Sequence, residues 1–389
     1  MKEAAGTCMP SLNPTTTHML DTIRFLSVAI GPRPSASPAE RRAAEWAADH
    51  LQAWGYTTHL MPVAGLRTFT AYTAPIYMLG ALGAWALQKG ATRRAVQLSA
   101  LAGGLLYAEQ TMRPILSELL PRTPSVNVVA RRPATRERRR TVVLTAHLDT
   151  QQAALLFHPR LVGGFRRSYL LLVLSLVWGL VGAPLGRAGR TLARLALGNI
   201  GVALGLMLHK ERMPHVDGAN DNASGVAVVL AAAQALQGGL PFTDVWVVLT
   251  GCEETGSQGM QAFLEGYRFD PDTTFFINCD TIGIGQVAAV SSEGPLKRYH
   301  ADPHLLALVR RIAATYQLPV TIRPYHLLLT DAEVAMQRGY RAISLMAFDE
   351  TGRLPNWHWV SDTISAIQPT TLDTALALTL RLVHALDAE

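Results

Sequence analysis

The sequence predicts an α/β fold whose sheet is covered on both faces, interrupted by two apolar helical hairpins. Three observations carry this. Continuous apolar runs such as "RTVVLTAHLDT", "TDVWVVLTGCEE" and "TTFFINCDTIG" read as strands buried on both sides. Segments with an apolar period near 3.6 alternate with them, as in "NASGVAVVLAAAQALQ". Two pairs of nearly uncharged runs lie between the strands.

In chain order, "SASPAERRAAEWAADHLQAWGY" is a helix: Ser37 caps it, Pro38 fits its first turn, Glu40 completes a capping box and Gly55 ends it. "YTTHLMPV" is a strand. Thr68 to Gln88 then carries no charge, "KGATRR" links it to Ala95–Ala108, and the pattern recurs with Ser168–Gly186, "RAGRTLAR" and Leu195–His209. A bilayer-spanning helix needs about 20 apolar residues, and the first member of each pair has that length. The second members are short, and all four are rich in Gly and Ala, as packed membrane helices are. The hairpins therefore read as transmembrane and multi-pass; a soluble helical cap is the other reading. "SVNVVARR" and "GYRAISLMAF" add strands, and "DPHLLALVRRIAATYQ" and "TTLDTALALTLRLVHALDA" add helices.

Composition agrees. The 389 residues are 49% hydrophobic and 16% charged, with a net charge of +6, and globular domains average about 25% charged. The densest basic run, Ala130–Arg140, has no interleaved aromatics and reads as a solvated loop between strands, so no nucleic-acid partner is expected. Cys8, Cys252 and Cys279 form neither a disulfide framework nor a zinc knuckle. Cys252 and Cys279 are expected as small buried residues. The first twenty residues lack the apolar core of a signal peptide. That leans the catalytic domain toward the cytoplasm. The hairpin tips (Lys89, Arg93, Arg94, Arg187, Arg190, Arg194) and flanks (Arg67, Arg113, Arg160, Arg166, Arg167, Lys210, Arg212) are almost equally basic, so the side stays open.

Five polar clusters end apolar strands or open the loops beyond them: His147-Leu148-Asp149, Asp221 in "GANDNASG", Glu253-Glu254, Asp280 in "NCDTIG", and His358 in "NWHWVSDT". In doubly wound sheets, ligands gather beyond the carboxyl ends of the strands. Two neighbouring divalent metals need a shared carboxylate and further N or O ligands. Asp221, in a Gly/Asn-rich turn, is the candidate bridge. His147 and His358 supply imidazoles, and Glu254 and Asp280 supply carboxylates. Asp149 is placed to orient His147 through its other ring nitrogen. Glu253, beside a ligand, is the candidate general base.

The order H-x-D, D-N-x-S-G, E-E, D and H resembles the M28 family of zinc peptidases, over about residues 20–65 and 123–389 apart from the Leu161–His215 insertion. The resemblance implies a phosphorylase/hydrolase-like three-layer sandwich with a mixed, mostly parallel, eight-stranded sheet. It implies two zinc ions, one held by Asp221, Glu254 and His358 and the other by Asp221, His147 and Asp280, with Glu253 as base. It implies a peptide substrate with a free N-terminus. Residues 20–67, 123–160 and 213–389 would form the peptidase domain, with hairpins at 68–110 and 161–212 inserted into loops and contacting a lipid bilayer. Two departures stand out. Seventy-four positions separate His147 from Asp221, where the family has a short loop, and the family's S-D-H-like triplet is here Thr330-Asp331-Ala332. Three alternatives remain: a glutaminyl cyclase-like acyltransferase with one zinc, a non-catalytic membrane scaffold, and a carboxypeptidase using a basic residue such as Arg323 or Arg353. The oligomeric state stays open.

Overall fold

Valine, isoleucine and phenylalanine runs flanked by Gly, Pro and Asp dictate strands, and longer amphipathic runs between them dictate helices. The structure, a computed structural model, describes residues 13–111 and 113–389. Cys8 and the other residues of 1–12 lie outside them. The chain opens with α1 (Pro14–Arg24), α2 (Pro38–Ala53) and β1 (Thr57–Gly65). Then come α3 (Thr70–Gln88) and α4 (Thr92–Glu109), and strands β2 (Thr123–Arg132) and β3 (Arg140–His147). The second insertion holds α5 (Phe165–Leu176), the one-turn α6 (Trp178–Val181) and α7 (Gly186–Lys210). The body resumes with α8 (Gly225–Ala235), β4 (Thr243–Thr250), α9 (Gln258–Gly266), β5 (Thr274–Cys279) and β6 (Gln286–Val290). It ends with β7 (Ser292–Glu293), β8 (Tyr299–His300), α10 (Pro303–Tyr316), β9 (Thr321–Arg323), α11 (Asp331–Gln337), β10 (Arg341–Phe348) and α12 (Pro369–Ala388).

The main sheet runs β1-β2-β4-β3-β5-β10-β6-β9. The β4-β3-β5-β10 centre is parallel, β6 pairs parallel with β9, and the remaining pairings are antiparallel. This is the mixed, mostly parallel α/β sheet expected. One face packs on α1, α2, α8, α10 and α12, where α8 is apolar and buried from Gly225 to Ala233. The other packs on α9 and α11 through Met260, Phe263, Phe276 and Val334. The strands the sequence does not announce are β6 to β9, with five, two, two and three residues, too short for a periodic signal.

The two insertions pack into a single four-helix bundle. Its core holds Ile76, Leu106, Leu172, Leu176 and Ile200. Small residues set the spacing: a Cβ on Gly83 would meet Ser99 Oγ at 2.3 Å, and one on Gly179 would meet Ala95 O at 2.5 Å. The second insertion differs from expectation. Ser168–Gly186 does not form one long helix, because the helix breaks at Val177 and Pro184 and left-handed Gly186 (φ 56°) end the run. The basic link "RAGRTLAR" is instead helical and extends α7 to 25 residues. Among the described residues, one helical stretch, Ala183–Lys210, is long and apolar enough to cross a membrane by length and composition.

Candidate metal centre

Adjacent parallel strands bring the predicted residues together. β4, β3 and β5 lie side by side and end at Thr250, His147 and Cys279, so Glu253-Glu254, His147 and Asp280 share one rim. Asp221 enters from the buried loop before α8, and His358 from a turn after β10 at positive φ (49°). His147 Nε2 lies 3.1 Å from Asp221 Oδ1, and His358 Nε2 lies 3.1 Å from Asp221 Oδ2. Each oxygen of one carboxylate therefore faces a different imidazole. Glu254 Oε2 is 3.2 Å from His358 Nε2, while Asp280 Oδ1 and Glu253 Oε2 are 3.8 and 4.0 Å from His147 Nε2. The ligand atoms of His147, Asp221 and Asp280 lie within 4.8 Å of one another, as do those of Asp221, Glu254 and His358.

Asp149 serves the site through its carboxylate and its backbone separately. His147 Nδ1 is 3.1 Å from the Asp149 carbonyl and 3.6 Å from its carboxylate. The carboxylate accepts the amides of Glu253 and Glu254, each at 3.1 Å, and the Ser35 hydroxyl at 2.6 Å. It thus fixes the turn that carries both glutamates.

Charge decides what the cluster can hold. Asp221, Glu253, Glu254 and Asp280 face two imidazoles in a buried space, and buried carboxylates are costly unless paired or metal-bound. Burial raises Glu253 well above the carboxylate range; His147 opposes this, and Glu254, Asp331 and Asp280 add to it. Burial would lower His358, but Glu254 and Asp221 raise it to about 10. Burial would raise Asp221, but hydrogen bonds to both imidazoles hold it well below its ordinary value. Glu254 Oε1 is buried without a hydrogen-bond partner. Excess negative charge, N and O donors only, and an orphaned carboxylate oxygen all fit divalent cations.

The cavity above the cluster is walled by Tyr325, Leu328, Leu329, Met346 and Trp357. Phe157 stands edge-on to both Trp357 and His358, and Phe165 of α5 stacks on Phe157. Arg323 lies over the Phe348 ring, and neither it nor Arg353 lines the cavity.

Residues 199–383 match the model of peptidase family M28. The expected M28 resemblance is thereby shown, from within α7 to α12. Comparison with curated protein sequences gives no match. Among solved structures, a zinc aminopeptidase from Bacillus subtilis superposes with a TM-score of 0.57 at 14% identity, over 97% of this chain and 96% of that one. A Zn-dependent exopeptidase from Parabacteroides distasonis gives 0.56 at 14%, over 96% and 98%. A glutaminyl cyclase from Tannerella forsythia gives 0.57 at 15%, over 96% and 99%. At these identities the likeness shows the shared fold.

Sequence reasoning passed over the groups that hold this site in place. Asp362 accepts the amides of Asn220 at 2.6 Å and Asp221 at 3.1 Å. It sits in the same "NWHWVSDT" stretch as His358, which was its only signal. Arg33, fully buried, binds the carbonyls of Leu148, Asp217 and Gly218, fastening the His147 strand to the Asp221 loop. Of the capping box expected at Ser37 and Glu40, the Ser37 hydroxyl accepts the Glu40 amide at 3.2 Å. The Glu40 carboxylate does not return to the Ser37 amide; it accepts the amides of Ala36 and Cys252 and the Ser125 hydroxyl, tying α2 to the glutamate turn. Asp331 accepts the Thr250 hydroxyl beneath the site.

Proposed function

We propose that this protein is a membrane-associated di-zinc metallopeptidase that removes N-terminal residues from peptides. The observation that carries the metal reading is Asp221, whose two oxygens each lie 3.1 Å from a separate imidazole. Asp221, Glu254 and His358 would hold one zinc, and Asp221, His147 and Asp280 the other. Zinc in such a site supplies a Lewis acid that polarises the scissile carbonyl and acidifies water. Glu253 is the proton carrier: its Oε2 takes a proton from the attacking water and gives it to the departing amine nitrogen. Its raised proton affinity suits that shuttle. Asp149 holds the Glu253 amide, and so the turn that aims Oε2. Tyr325, Leu328, Leu329 and Trp357 would receive the side chain of the first residue and exclude water from it.

The membrane reading is supported by the bundle. Its core is packed, yet Leu82, Trp85, Leu101, Leu171, Leu195 and Val202 point outward, with Leu195 70% exposed. Only 17% of the apolar window in Ala183–Lys210 is buried in the protein. Such a surface is costly in water and at home in hydrocarbon.

The test uses full-length protein extracted in detergent. Bound zinc is counted per chain, and aminoacyl-anilides are compared with their N-blocked forms. Two zinc ions and cleavage only of free-amine substrates are expected. Cyclisation of N-terminal glutamine with one zinc would replace the peptidase reading by the cyclase one.

A further inference from the structure

We propose that Arg166, Arg298 and His326 bind the phosphate of an anionic lipid headgroup where the bundle leaves the α/β body. The site rests on the membrane reading above. Three separate elements carry these residues, and the charge of Arg166 acts on the other two. The connection between β7 and β8 inserts Leu296 against the bundle core, which pins it to the bundle base. Arg298, from the same connection, donates to the Gly294 carbonyl. His326 follows β9, and its Nε2 meets Ser292 Oγ of β7 at 2.9 Å; His300 is the cross-strand partner of that same Ser292. Arg166 lies in the first turn of α5, and its charge reaches both Arg298 and His326. Arg113, just after α4, acts on Tyr299 of β8.

Among the described residues, none of Arg113, Arg166 and Arg298 forms an ion pair. Glu293 and Glu333 lie nearby; burial raises Glu293 to about 7 and Glu333 well above the carboxylate range, so their countercharge is partial. Burial, then Arg298, Arg166 and His300, lowers His326 to about 4. A neutral His326 accepting the Ser292 hydroxyl at Nε2 carries its proton on Nδ1, free to donate to an oxyanion. Arginine forks match phosphate oxygens in two-point contacts.

Position favours a lipid over the substrate. None of the three residues lines the cavity above the metal cluster. Arg166 is followed within two turns by the outward-facing Leu170, Leu171 and Leu174, and Tyr107 near the end of α4 is 53% exposed. Basic and aromatic residues beside an outward apolar band mark the headgroup level of a bilayer.

The experiment uses full-length protein in detergent and follows thermal unfolding as phosphatidylglycerol, phosphatidylcholine or inorganic phosphate is added. Flotation with phosphatidylcholine vesicles reads membrane insertion separately. Phosphatidylglycerol should raise the Tm and phosphatidylcholine should not. Each of Arg166→Gln and Arg298→Gln should weaken the lipid's apparent Kd about tenfold by losing charge-assisted hydrogen bonds. Arg187→Gln with Arg190→Gln, at the bundle tip, should leave it unchanged. An equal shift with inorganic phosphate would assign the site to a soluble anion and overturn the lipid. A shift that survives in both base variants, or none in wild type that still floats, would overturn the site and leave insertion standing. An altered KM for acidic peptides in the base variants, without any change in lipid response, would assign the cluster to substrate. Failure to float would remove the membrane reading itself.

Discussion

The α/β body and the four-helix bundle are built on opposite rules. In the body, apolar side chains point inward and each loop around the site is tied by buried polar contacts: Asp362 to two amides, Arg33 to three loop carbonyls, Asp149 to two amides and a hydroxyl. In the bundle, glycine and alanine let the helices close on a core of Ile76, Leu106, Leu172, Leu176 and Ile200, and a second set of large apolar side chains faces out. The body needs water outside and polar satisfaction within. In the bundle, small residues let the helices approach closely, which is the packing that the proposed membrane setting favours. The Thr68 and Thr70 hydroxyls donate to Glu211 and tie the base of α3 to the end of α7, and the Tyr72 hydroxyl of α3 donates to the Thr255 carbonyl of the body at 3.3 Å.

The largest expected effect lies in the body. Glu253→Gln should lower kcat about a thousandfold, within the range for a lost general base, with metal content near wild type. Normal turnover in that variant would take Glu253 out of the proton-transfer role. Next comes the bundle. Val202→Arg on the outer face of α7 should cost about 3 kcal/mol of insertion if that residue sits mid-bilayer. It should shift stability by only about 0.5 kcal/mol if the face meets water. Carbonate extraction of membranes separates the two outcomes.

Asp362→Ala strands the Asn220 and Asp221 amides, and metal affinity should fall about 10- to 100-fold, as when a partner behind a ligand is lost. Zinc titration against a competing chelator measures it, and an unchanged affinity would make Asp362 dispensable to the centre. Glu40 sharpens the contrast through pH. Burial raises it from the ordinary 4.5 to about 8. An acid that holds its proton more tightly when folded gives stability below its unfolded pKa and loses it as pH rises to the folded value. Metal-free protein should therefore lose stability between pH 4.5 and about 8, and Glu40→Gln should flatten that slope in urea titrations. The smallest effect is Tyr72→Phe, about 1 kcal/mol for one hydrogen bond. A large fall in kcat there would mean that the bundle and the glutamate turn act as one unit.

Much of this was legible because strand and helix periods, and polar residues closing apolar runs, are local properties of the chain. His147, Asp221, Glu253, Glu254, Asp280 and His358 could be named before their geometry, since each interrupts an apolar pattern that has no other use for a buried charge. Arg33, Glu40 and Asp362 could not. Each is an ordinary polar residue in a loop or first helical turn, and the partners through which it holds the site, such as Leu148, Ser125 and Asn220, stand more than 80 positions away. The bundle divides the same way. Composition alone marks its four apolar runs. Pro184 and Gly186 end the Ser168–Gly186 run locally, whereas the helical form of the Arg-bearing link goes with the packing of α7 on α3 and α5. Sequence determined which segments are apolar and where charge is out of place. Tertiary structure decided which distant groups satisfy one another, because a buried hydrogen bond is set by position in space and leaves no period in the chain.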